Sequence, residues 1–67
     1  INETGNSLEF NFDRSLVEKS ANIYIEDEFL FSATISKKGN IKVTKSSEIG
    51  KELVKAILNK KRIKVLV

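Results

Sequence analysis

The 67-residue chain has no cysteine, no histidine and only three glycines. Without cysteine it forms no disulfide, and without cysteine or histidine it lacks the ligands of a structural zinc site, so no cofactor or metal is expected. The usual nucleophile and base pairings also need His or Cys, and an enzyme is therefore not expected. Three glycines supply neither of the familiar phosphate-cradling loops. No apolar run approaches about 18 residues and no secretory leader is visible. A soluble cytoplasmic setting is expected, with no membrane and no small-molecule substrate. The first residue is Ile, not Met, as expected of a processed product or of part of a longer one. Asn2-Glu3-Thr4 fits the glycosylation sequon, a match that three residues often make by chance.

What remains is small and charged. A chain of this length makes one domain that buries only about 60 % of its unfolded surface, so completion by a partner is expected. The net charge of +3 hides an asymmetry between halves. Residues 1–36 carry Arg14 and Lys19 against seven acidic groups, a net −5, whereas residues 37–67 carry ten basic groups against Glu48 and Glu52, a net +8. Such a split points to a polyanionic partner.

Leu8, Phe10 and Phe12 alternate with Glu9, Asn11 and Asp13, the period of a half-buried strand over 8–13. Within 16–30, Val17, Ala21, Ile25 and Phe29 recur every four residues, although Ile23-Tyr24-Ile25 and Phe29-Leu30-Phe31 are strand formers; a helix is expected there. The runs 31–36 and 41–45 flank Lys37-Lys38-Gly39-Asn40 as two strands of a tight hairpin, with Gly39 and Asn40 suited to positive φ. Ser46 or Ser47 caps a further helix whose first turn holds Glu48. Its apolar stripe is Ile49, Leu53, Ala56 and Ile57, with Lys51 and Lys55 on another face. The closing run 63–67 suits a strand covered on both faces. The order β-α-β-β-α-β predicts a single α+β domain over 1–67, a mostly antiparallel sheet with helices packed on one face. No internal repeat is visible.

Glu26-Asp27-Glu28 offers three carboxylates for acid and base work, but adjacent carboxylates on one turn are more often simply solvated. Lysines on one helix face are usually a matter of solubility. Lys37 and Lys38 at the hairpin, Lys42 and Lys45 on the strand, Lys51 and Lys55 on the helix, and Lys60, Lys61 and Arg62 at its end together predict a phosphate-binding field. Lysine contacts phosphate as a point charge and reads little sequence, and Phe10, Phe12, Phe29 and Phe31 have the pattern of core, not of a base-stacking platform. Backbone and shape recognition is expected, which suits folded RNA.

"IKVTKSSEIGKELVKAILNKK", residues 41–61, resembles the eukaryotic-type large-subunit ribosomal protein L-twenty-two family, with Ile41, Val43, Thr44, Lys51, Lys55 and Lys60 on matching types. Upstream, Phe10, Asp13, Val17, Glu18, Phe29 and Leu30 correspond to that family's opening strand, turn and first helix. The family's long lysine- and glycine-rich loop is missing, Glu52 replaces an arginine, Leu53 a tyrosine and Leu16 a proline, as in a shortened member. The resemblance implies a structural constituent of the ribosome that binds ribosomal RNA among neighbouring large-subunit proteins, with Lys51, Lys55 and Lys60 as contacts.

"GNSLEFNFDRSLVEKSANIYIEDE", residues 5–28, also resembles the swapped-hairpin DNA-binding family of transition-state regulators and antitoxins, through Gly5, Asn6, Ser7, Leu16 and Glu26 to Glu28. Asp13 stands at that family's proline, and residues 46–67 lie outside the pattern. This alternative implies a dimeric DNA-binding regulator or antitoxin. A third alternative, a protein-binding module, would keep the lysines for solubility only.

Overall fold

The computed structural model describes residues 1–67. Its elements are β1 (Asn2–Thr4), β2 (Ser7–Asn11), a 3₁₀ turn (Arg14–Leu16), β3 (Ser20–Ile25), β4 (Glu28–Thr34), β5 (Asn40–Thr44), α1 (Glu48–Leu58) and β6 (Ile63–Leu66). Every pairing is antiparallel, in two three-stranded sheets ordered β1-β2-β5 and β4-β3-β6. The class is α+β as expected, but one helix replaces two and five strands precede it.

Alternation builds the first sheet. Leu8 and Phe10 of β2 point inward opposite Val43 and Ile41 of β5, while Ser7, Glu9, Asn11, Asn40, Lys42 and Thr44 take the outer face. The strand expected over 8–13 ends at Asn11, because the Asp13 side chain accepts from the Ser15 N–H and starts the 3₁₀ turn.

Residues 16–30 correct the sequence reading, since they form no α-helix but the end of the 3₁₀ turn, all of β3 and the start of β4. A period of four is also a multiple of two, so the spacing that imitates a helix stripe equally fits one face of a strand. Ala21 and Ile23 are buried in that way, and Glu26 (φ 48°) and Asp27 (φ 71°) make the two-residue turn into β4. Phe29, expected in the core, is 59 % exposed and meets Tyr24 edge-to-face at 5.7 Å.

The expected hairpin of 31–36 with 41–45 is also corrected. Its turn is present, with Gly39 at φ 79°, the Gly39 N–H donating to Ser36 C=O and the Ser36 N–H to Asn40 C=O. The strands then part, β5 into one sheet and β4 into the other. Ile35 occupies the parting point, fully buried, its N–H donating to Lys19 C=O (2.9 Å) and its C=O accepting from Glu18 N–H (2.8 Å). Burying that side chain between the sheets outweighs continuing the ladder.

In α1, Ser47 is the cap, its Oγ accepting from Gly50 N–H at 3.0 Å and donating to Thr44 C=O at 2.7 Å. Leu53 and Ala56 are buried and Ile49 packs against the core, but Ile57 lies at a groove margin. β6 is covered on one face only, contrary to expectation, because Lys64 interrupts the apolar run and faces out between half-buried Ile63 and Val65. The core cluster joins Leu8, Phe10, Ala21, Ile23, Ile35, Ile41, Val43 and Leu53. The radius of gyration, 11.3 Å, is that of one compact domain, for which about 11 Å is expected.

The architecture repeats a unit that the sequence does not display. β2, the 3₁₀ turn and β3 form one strand–turn–strand unit, and β5, α1 and β6 form another; β2 pairs with β5 and β3 with β6. The relation is a pseudo-two-fold axis. Phe12 N–H donates to Gly39 C=O at 2.8 Å, and Lys45 N–H donates to Asn6 C=O at 2.9 Å, two bonds exchanged by a shift of 33 positions. Beyond the helical segments the shift becomes 42, matching Ile23 to Val65 and Glu18 to Lys60, whose φ values are 65° and 56°. The added positions fall in α1, which has 11 residues against three in the 3₁₀ turn.

Candidate nucleic-acid interface

The nine basic residues singled out in the sequence fall in three stretches of the fold: the turn before β5, β5 and its end, and α1 with the segment that follows it. Lys37 and Lys38 are exposed in the turn before β5, and Lys42 is exposed on its outer face across from Glu9. Lys51 and Lys55 are exposed on α1; Lys60, Lys61 and Arg62 follow its end.

Acidic residues of the first half also fold onto the basic half. Glu3 holds Lys45 at 2.9 Å, Glu26 lies 3.8 Å from Arg62 and Asp27 lies 3.9 Å from Lys64; Glu52 lies 3.9 Å from Lys55 within α1. Each such surface pair stabilises by at most about 1 kcal/mol. Their consequence is electrostatic: Lys45, Lys55 and Arg62 are partly neutralised, while Lys37, Lys38, Lys42, Lys51, Lys60 and Lys61 have no ion-pair partner.

Lys37, Lys38 and Lys42 share one surface with the outer face of the β2–β5 pair. Asn40, between them, is fixed by its Nδ2 donating to Glu9 Oε2 (2.7 Å) and by its Oδ1 accepting from Ser36 Oγ (2.7 Å). The Phe12 N–H, donating to Gly39 C=O, ties the end of β2 to the same turn. Sequence reasoning missed Asn40, Ser7, Asn11 and Thr44 as members of this face; the polar phase of the two strands was the signal that could have found them. The face is polar, free of aromatics and centred on the pseudo-two-fold axis. It can offer ammonium groups and side-chain amides and hydroxyls to phosphate.

Beside it, the Ser15 Oγ (2.6 Å) and N–H (3.1 Å) donate to Asp13 and hold its carboxyl below the ordinary value. Stability from that lowered pKa is present above the unfolded value, near 3.9, and is lost as pH falls through the folded one. Glu26, Asp27 and Glu28 are solvated in their turn, and no group of three or more His, Cys, Asp or Glu is placed to hold a metal ion. No helix is long and apolar enough to cross a membrane.

Comparison of the chain with protein-family models, with curated proteins and with solved structures finds no match.

Proposed function

We propose that this chain is a non-catalytic nucleic-acid-binding module that grips the phosphate backbone of duplex DNA with the outer face of β2 and β5 and the Lys37-Lys38 turn. The observation that carries this reading is the pseudo-two-fold interlock of two strand–turn–strand units. It is the arrangement expected of the swapped-hairpin resemblance, made within one chain. Residues 46–67, outside that resemblance, contain the helix and last strand of the second unit, so the reading no longer requires two chains. The 33-position shift sets Glu9 against Lys42, so in this reading the Lys37, Lys38 and Lys42 side of the face supplies the phosphate contacts.

A second reading is binding of ribosomal RNA in the large ribosomal subunit, beside other subunit proteins. It is favoured by α1, which falls where that resemblance puts a helix and leaves Lys51 and Lys55 exposed. It is weakened by the strands within 20–30, where the same resemblance implies a helix.

Fluorescence anisotropy with a duplex DNA and a folded ribosomal RNA fragment across a salt series tests both. The triple variant Lys37→Glu, Lys38→Glu, Lys42→Glu is expected to weaken DNA binding and to lower the log–log salt slope by about 2.7, at roughly 0.9 per phosphate. A loss confined to Lys51→Glu, Lys55→Glu, Lys60→Glu, and to RNA, would move the function to α1.

A further inference from the structure

The two pseudo-symmetric seams of the molecule are closed differently. Beside β3, the chain leaving β5 through the 37–39 turn crosses over: Ile35 is fully buried and bonded to Lys19 and Glu18, and β4 then pairs with β3 from Thr34 opposite Ser20 to Glu28 opposite Ile25. The related seam lies between β1 and β6. Thr4 faces Ser7 as Ser36 faces Asn40, so the position related to Ile35 is Glu3. There β1 stays on β2, and no strand covers β6.

An open groove of about 440 Å³ results, lined by Ile1, Phe10, Ile57, Ile63 and Val65 together with Glu3 and Lys61. The backbone of β6 is available along it. Arg62 N–H donates to Glu26 Oε2 and Arg62 C=O accepts from Glu26 N–H, so both groups point toward the β3 side. Directions alternate along a strand, and the N–H and C=O groups of Ile63 and Val65 therefore face the free edge.

We propose that the β1–β6 seam is a docking site for an extended peptide of a partner protein, which pairs antiparallel with β6 and seats alternate apolar side chains in the groove as β4 does on β3. The intramolecular precedent sets the orientation: the end of β4 lies against the start of β3, so the peptide's C-terminal end lies against the start of β6. Lys60 and Lys61 stand there without ion-pair partners, and they select a peptide with a carboxylate at that end. The recognition is strand addition, with main-chain bonds supplying affinity and alternate side chains supplying specificity.

The probe is a synthetic peptide of residues 28–36 preceded by two lysines for solubility, KKEFLFSATIS with a free C-terminus, added to the 67-residue chain and followed by amide hydrogen exchange. Ile63 and Val65 amides are expected to slow by about tenfold or more, and an amidated peptide is expected to bind more weakly. Val65→Pro removes one outward N–H at an edge, where proline is tolerated, and is expected to abolish protection while the fold persists. Lys61→Glu, which leaves the strand unaltered, is expected to weaken the free-acid peptide only. The proposal is overturned by equal protection from a scrambled peptide, by protection that survives Val65→Pro, by no protection at all, or by self-association of the chain through β6.

Discussion

Gly50 occupies a position where no side chain fits. A Cβ there would lie 2.0 Å from the Thr44 carbonyl oxygen and 2.9 Å from the Lys45 backbone. The contact is to backbone at the end of β5, so no rotamer change relieves it. The same junction is tied by Ser47, which accepts from Gly50 N–H and donates to Thr44 C=O. Sequence alone discloses the cap, because Ser before Glu48 and an apolar stripe is a helix start. It does not disclose the glycine's reason: within a helix pattern Gly is only a propensity cost of about 1 kcal/mol. Gly50→Ala should therefore destabilise, against its helix propensity, by about 3 kcal/mol, the upper part of the overpacking range. Urea unfolding measures it, and an unchanged midpoint would show that α1 does not need this close approach to β5.

At the scale of elements, legibility followed from how many structures one spacing permits. α1 was legible because Ile49, Leu53 and Ala56 fit a helix and no strand, with a capping serine in front. Residues 16–30 were not, because a four-residue period fits both, and the deciding feature is the turn at Glu26 and Asp27. Both adopt positive φ, a conformation that costs an ordinary L-residue about 1–2 kcal/mol and that Asn or Gly accepts readily. Glu26 repays its strain by accepting from Arg62 N–H at 2.7 Å. Asp27 has only an exposed pairing with Lys64 at 3.9 Å. Asp27→Gly is thus expected to stabilise the β3–β4 hairpin by about 1 kcal/mol and to raise the thermal midpoint by about 5 °C. A lower midpoint would mean that the Asp27–Lys64 pair, or stiffness of the unfolded chain, outweighs the relieved strain.

At the scale of the whole molecule, the charge asymmetry was plain in the sequence while its use was not. Three of the four ion pairs join the acidic first half to the basic second half, so part of the field that points to a polyanion is answered inside the chain. The internal pseudo-symmetry stayed hidden for a related reason: the shift between equivalent residues moves from 33 to 42 across α1, so no fixed repeat period exists. Symmetry and charge together predict how the halves assemble. Residues 1–36 contain β2 and β3, residues 37–67 contain β5, α1 and β6, and each half has its central partners in the other. Neither fragment can bury the Leu8–Leu53 core alone, so each should be unfolded by circular dichroism, and an equimolar mixture should regain the native spectrum. Their net charges of −5 and +8 assist the encounter. Raising salt from 0.05 to 0.5 M shortens the screening length to about 4 Å and should weaken complementation by about tenfold. A first fragment that folds alone would make β1 to β4 an independent unit; complementation insensitive to salt would leave apolar burial alone to join the halves and free the lysines for an external partner.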